Sequence, residues 1–282
     1  MRIIELNKKD AIDTKTGKVF PLIKSNGGTQ ILRINTKFRE AYKEVDAYKI
    51  ATRFGLPAAS CEEVQVKIGE QTRKGVVIYS YLEPGETELS VADLLSGMDI
   101  SHMVNMTPDE KIEYTVKLIL NLVKGKLTTS SSADDTLTIK EWLYKMLLFD
   151  YIIHNDSREF SDMKIIMNKA NNKFRLAPLS NHCYSFYRTD AIMDKKLIIA
   201  KEHSKIKGPF HSDPVQNLGD FNKYTAVLND MMQKAFGRNN AIWQFDNIDI
   251  LPGHKLIVNY KLALLPNHMM NAFSKRKGNP GR

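Results

Sequence analysis

A chain of 282 residues, 43% hydrophobic and 26% charged, can bury a large core in one domain or two lobes and has the composition of an ordinary soluble globular protein. No apolar run approaches the roughly 20 residues that span a bilayer, and the start MRIIELNKKDAID lacks the apolar centre of a signal peptide. The expectation is therefore a cytoplasmic protein with no membrane partner. The net charge of +9 is spread along the chain, with one dense run at Lys275, Arg276 and Lys277, which argues against nucleic acid as the main partner. Two cysteines, Cys61 and Cys183, are too few for the common zinc sites and fit a reducing compartment.

In chain order, residues 18–24 and 30–35 read as short strands, with the turn signal Ser25-Asn26-Gly27-Gly28 between them. From 38 to 54, Ala41, Val45, Tyr48, Ala51 and Phe54 recur at helical spacing. Gly55 then reads as a helix C-cap, and Pro57 blocks continuation. Residues 63–68 and 75–82 read as two more strands. The run Glu83-Pro84-Gly85-Glu86 predicts a hinge, so the organisation expected is a β-rich lobe at 1–83 and a mostly helical lobe at 84–282.

Past the hinge, a helix over 108–127 has Thr107 as its N-cap and an apolar face at Ile112, Val116, Ile119, Leu120 and Val123. A Ser/Thr/Asp loop covers 128–135. A second helix over 139–153 buries Trp142, Leu143, Met146, Leu147 and Ile153. A hairpin turns at Asn171-Asn172, and helices over 217–236 and 254–273 complete the chain, with 195–214 unassigned.

Two polar clusters carry the chemistry. The first follows the second helix: Asn155, Asp156, Ser157, Arg158 and Asp162. The second follows the strand FRLAPL: Ser180, Asn181 and His182. Asp162 and Asn181 are hard-oxygen donors suited to magnesium. Asp156 is placed to orient or deprotonate a hydroxyl. Arg158 either neutralises phosphate charge or holds the loop through carboxylates. Upstream, the backbone N–H groups of Gly27 and Gly28 can approach phosphate oxygens, although SNGG alone is more often a plain hairpin turn. Arg33 lies among apolar neighbours in ILRIN and is either a snorkelling surface residue or a cation with an anionic partner, Glu40 or Glu44; Glu44 with Arg33 would aim a cation at phosphate. The order of parts is that of a kinase catalytic loop followed by a metal-binding loop.

Four stretches in this order, SNGGTQILRIN, KEVDAYKIATRFGLPAA, GVVIYSYLEPGETELSVADLL, and DYIIHNDSREFSDMKII with LAPLSNHCYSF, resemble the HipA-like family of bacterial serine/threonine kinases. The likeness is greatest to its short, CtkA-like members and covers about residues 17–270. The last pair is similar to the family patterns DYLIGNTDRHHENWGII and LAPIYDNGSSL. The resemblance implies an α+β, two-lobed protein-kinase-like fold, ATP and Mg²⁺ as cofactors, a protein substrate or binding partner, and a role in a toxin–antitoxin pair or as an effector.

Residue by residue, the family's nucleotide-contacting lysine falls on Arg33 and its paired glutamate on Glu44. The catalytic aspartate falls on Ser157, with Asp156 one place earlier, and the next arginine is Arg158. The metal-binding asparagine falls on Asp162 and the metal-binding aspartate on Asn181. These departures support two expectations. In one, phosphoryl transfer to protein Ser/Thr survives in altered form, because Asp162 and Asn181 still make one carboxylate and one amide. In the other, the chain is a pseudokinase that serves as a nucleotide-binding or interaction module, because serine cannot take a proton as a carboxylate does.

Overall fold

The structure, a computed structural model, describes residues 2–6, 12–14, 17–23, 29–34, 41–95, 98–126, 133–155, 158–168, 170, 173–180, 182, 185–186, 218–237 and 244–277. The chain forms two compact units, Met1–Pro84 with Pro178–Ser185, and Gly85–Ala177 with Phe186–Arg282. The class is α+β, as expected.

The first unit is built on a six-stranded sheet. Its strands are β1 (Arg2–Leu6), β2 (Ile12–Thr14), β3 (Gly17–Ile23), β4 (Thr29–Ile34), β5 (Cys61–Ile68) and β6 (Gln71–Ile78), in the order β1-β5-β6-β4-β3-β2. β1 joins β5 in parallel, and the other pairings are antiparallel. Sequence reading placed no strand at β1 or β2. The β3–β4 hairpin pairs Ile23 with Thr29; the turn between them, with Gly27 and Gly28, lies outside the described residues.

In β6 the run Val76, Val77 and Ile78 is buried throughout, which requires cover on both faces of the sheet. Val77 packs with Leu32, Val64 and Val66 on one face. Val76 and Ile78 pack with Ala59 and Cys61 on the other, against Val45 and Tyr48 of helix α1 (Ala41–Arg53). The helix ends in a Schellman motif: Gly55 takes φ 66°, its N–H donates to the Thr52 carbonyl (3.0 Å), and the Leu56 N–H donates to the Ala51 carbonyl (2.9 Å).

The second unit holds a three-stranded antiparallel sheet of β7 (Glu86–Ser90), β8 (Lys164–Asn168) and β9 (Lys173–Leu176), ordered β7-β8-β9. β7 starts inside the stretch that reads as a hinge. Helices α2 (Val91–Leu94), α3 (Pro108–Lys126), α4 (Ala133–Ile153), α5 (Thr225–Phe236) and α6 (Pro252–Lys277) complete it. α4 packs against α3, α5 and α6. It is therefore buried nearly all round from Trp142 to Ile153, the pattern of a central helix rather than a surface one. No helix among the described residues is long and apolar enough to cross a membrane.

Candidate functional site

In the first unit, α1 presents a carboxylate to the buried interior. Glu44 is 4% exposed, and its Oε2 accepts the backbone N–H of His182 at 2.6 Å. A charge-assisted bond of this length offsets part of the desolvation of the carboxylate. The Cys61 thiol donates to the Glu44 carbonyl at 3.6 Å. Burial, followed by the nearby carboxylates of Glu44 and Asp46, pushes that thiol far above its ordinary range. It remains protonated and is not a nucleophile.

The segment Pro178–Ser185 belongs to this unit because two backbone bonds tie it there. The Ala59 N–H donates to the Leu179 carbonyl (2.9 Å), and the Leu179 N–H donates to the Pro57 carbonyl (2.8 Å). FRLAPL is therefore not one strand, as its sequence suggests: β9 ends at Leu176, and Leu179 makes a separate parallel bridge with Ala58. Ser180 and His182 are buried. Asn181 between them lies outside the described residues. Arg33 sits on β4 opposite Val19 and Val76; its side chain, and with it the expected pairing with Glu44, lies outside the described residues.

In the second unit, α4 runs out into the first polar cluster through another Schellman motif. The His154 N–H donates to the Tyr151 carbonyl (3.3 Å), and the Asn155 N–H donates to the Asp150 carbonyl (2.8 Å). His154 occupies the left-handed position with φ 50°, where glycine is usual. The Phe186 N–H caps the Ile153 carbonyl at 2.8 Å, and Phe186 is itself left-handed at φ 55°. Non-glycine residues in that region cost on the order of 1 kcal/mol each and gather at functional sites.

Below this turn lies a buried ion pair. Asp150 accepts Arg158 Nε at 2.8 Å and a terminal Arg158 nitrogen at 2.7 Å, and it accepts Asn155 Nδ2 at 2.8 Å. The Arg158 and Asp150 side chains are 2% and 3% exposed. Of the two roles that sequence allows for Arg158, holding the loop is therefore visible in its contacts. Asp156 and Ser157, between the two anchored residues, lie outside the described residues.

Asp162 closes a short 3-10 turn, Phe160–Asp162. Its Oδ2 accepts the Glu159 N–H at 3.0 Å, its own N–H donates to the Glu159 carbonyl at 3.0 Å, and buried Phe160 and Met163 fix the turn from both ends. Among the described residues, no three of His, Cys, Asp and Glu converge on one metal position.

Sequence reading missed Asp150 and the Glu44–His182 bond. Asp150 had a usable signal: a carboxylate in an apolar helix end needs a partner, and Arg158 eight residues on is the nearest following cation. The Glu44–His182 bond had no such signal, because a backbone N–H 138 residues away leaves no trace in residue type.

No family model matches the sequence, and no curated protein does. Among solved structures the chain is similar to the Helicobacter pylori proinflammatory kinase CtkA, at 11% identity and a TM-score of 0.57, covering 97% of this chain and 99% of that one. It also matches HipA of Shewanella oneidensis MR-1, from a toxin–antitoxin complex with HipB and operator DNA, at 12% identity and a TM-score of 0.41, covering 97% of this chain and 57% of that one. At such identities a likeness is one of fold, and the first comparison carries it: this chain has a kinase-like α+β fold.

Proposed function

We propose that this kinase-fold protein, of the HipA/CtkA kind, binds ATP with Mg²⁺ and transfers the γ-phosphate to a serine or threonine hydroxyl of a protein through an atypical active site. The observation that carries the reading is Glu44. A buried carboxylate on the helix after the Arg33 strand holds the backbone beside Asn181, which is what a nucleotide site needs if a cation strand and a metal segment are to keep a fixed spacing.

In this reading, Gly27 and Gly28 offer N–H groups to phosphate oxygens, and Arg33 supplies a cation, with a geometry unlike lysine's. Asp162 and Asn181 are the hard-oxygen pair for magnesium. The donor types fit that ion, and the Glu159 N–H on Asp162 Oδ2 is the kind of supporting bond that orients a ligand. Magnesium held by such residues would supply positive charge against that of the phosphates. The attacking hydroxyl oxygen bonds to phosphorus as the bond to the ADP oxygen breaks, and the hydroxyl proton passes to Asp156.

A second reading is favoured by Ser157 at the position of the base and Asn181 at the position of a metal carboxylate. Here the fold is a pseudokinase that binds nucleotide or a protein partner without turnover. One experiment separates the two. Saturating Mg²⁺ and ATP should raise the melting temperature, because a ligand at 100 times its Kd stabilises by about 2.7 kcal/mol, and the gain should fall in Asp162→Ala. Radiolabel from γ-labelled ATP should appear in wild type and vanish in Asp156→Ala. No shift at millimolar nucleotide sinks the first reading and leaves of the second only the module that binds a protein partner. Labelling confined to Ser157→Asp selects the pseudokinase.

A further inference from the structure

One carboxylate in α4 reaches both ends of the loop that carries Asp156 and Ser157. We propose that Asp150 is the positioning residue of this loop. Its backbone carbonyl accepts the Asn155 N–H (2.8 Å). Its Oδ1 accepts Asn155 Nδ2 (2.8 Å) and a terminal Arg158 nitrogen (2.7 Å), and its Oδ2 accepts Arg158 Nε (2.8 Å). Asn155 and Arg158 are three positions apart, so the residues that flank positions 156 and 157 are both held by a single acceptor.

The geometry is that of a two-pronged guanidinium–carboxylate pair, which fixes direction as well as distance. It lies in a dry setting: Asp150 is 2%, Asn155 2% and Arg158 5% exposed. Removing one partner of such a pair leaves an uncompensated buried charge. The anchor itself stands on a rigid element. Phe149, Tyr151, Ile152 and Ile153 around Asp150 are all buried, which gives the carboxylate the packed support that a precise site needs. What the loop does rests on the kinase reading; how it is held does not.

The test is amide hydrogen exchange on the intact chain without nucleotide, so that it does not depend on phosphoryl transfer. Asp150→Asn keeps the shape and the backbone carbonyl but removes the charge. In this variant the amides of 156 and 157 should exchange at least tenfold faster than in wild type, while α3 and the β4–β6 strands keep their wild-type rates. Unchanged exchange at 156 and 157, or a uniform acceleration over the whole chain, overturns the proposal. If Asp150→Asn does not fold, Asn155→Ala removes one prong only and should still accelerate the same two amides severalfold; unchanged rates there overturn it equally. In phosphoryl-transfer assays, kcat should fall at least tenfold in Asp150→Asn with KM for ATP within twofold, whereas parallel changes in kcat and KM mark a merely structural role and overturn it. Faster loop exchange in a chain that gives no Mg²⁺-dependent ATP shift leaves this proposal standing and removes the kinase reading.

Discussion

His154 holds φ 50° at the end of α4, where both bonds of a Schellman motif require a left-handed residue. For an L-residue this conformation costs about 1–2 kcal/mol, and glycine adopts it freely at an entropic cost of roughly 0.5–1 kcal/mol. His154→Gly should therefore be neutral to stabilising by about 1 kcal/mol, a rise in melting temperature of about 2–4 °C, and His154→Asn should gain less. A fall in melting temperature of that size in both variants would show that the imidazole, not the backbone, decides this position. The same scale shows where residue types were readable. Trp142, Leu143, Met146, Leu147 and Ile153 were read as the buried side of one helix and are all buried, because helical spacing and apolarity determine burial directly. Glu44 accepts the His182 backbone N–H, a bond that no residue type announces; its expected pairing with Arg33 concerns a side chain outside the described residues. Residue types carry charge and polarity but do not say which distant backbone group the fold will bring alongside.

At the scale of elements, the start of α3 is a capping box. Glu110 accepts the Thr107 N–H at 2.7 Å and the Thr107 hydroxyl at 2.8 Å, and the Glu110 N–H donates to Thr107 Oγ1 at 3.3 Å. The backbone bond first, and the hydroxyl bond second, hold the Glu110 carboxyl below its ordinary value of 4.5. A carboxyl depressed in the folded state stabilises the fold above its unfolded value, and that contribution is lost as pH falls through the folded value. Wild type should accordingly lose part of its stability from pH 4.5 downward, and Glu110→Gln should flatten that part of the curve. Equal slopes in wild type and Glu110→Gln below pH 4.5, followed by thermal unfolding, would remove the cap from the account. This helix was legible because its cap and its apolar face both lie within the helix. β1 and β7 were not. RIIEL is only five residues, with Arg2 and Glu5 inside it, and becomes a strand by pairing with β5, some sixty residues on. ETELS is polar, and its strand character comes from the antiparallel ladder with β8 and from Glu86 bonding Arg175 of β9 at 2.8 and 2.6 Å. Strand formation of this kind is a property of the partner as much as of the segment.

For the whole molecule, the first unit is not a continuous stretch of chain. It takes Pro178–Ser185 across almost a hundred residues, and that segment supplies the Leu179 bridge to Ala58 and the N–H that donates to Glu44. A chain ending at Pro84 would therefore lack both backbone partners of the 57–59 stretch and would leave the Glu44 carboxylate without its His182 N–H in the interior. Losing a charge-assisted bond to a buried carboxylate costs on the order of 2–3 kcal/mol, a large part of the stability of a domain this size. The fragment 1–84 should consequently show little fixed tertiary structure by near-UV circular dichroism, and a peptide spanning 178–186 added in trans should restore it. With Glu44→Gln in the fragment, the peptide should bind at least severalfold more weakly, since a neutral amide oxygen replaces the carboxylate acceptor. A fragment with a full cooperative transition by itself, insensitive to the peptide, would mean that the segment is a passenger on the first unit. The kinase-like fold would then owe nothing to the joint between α1 and the segment that carries His182.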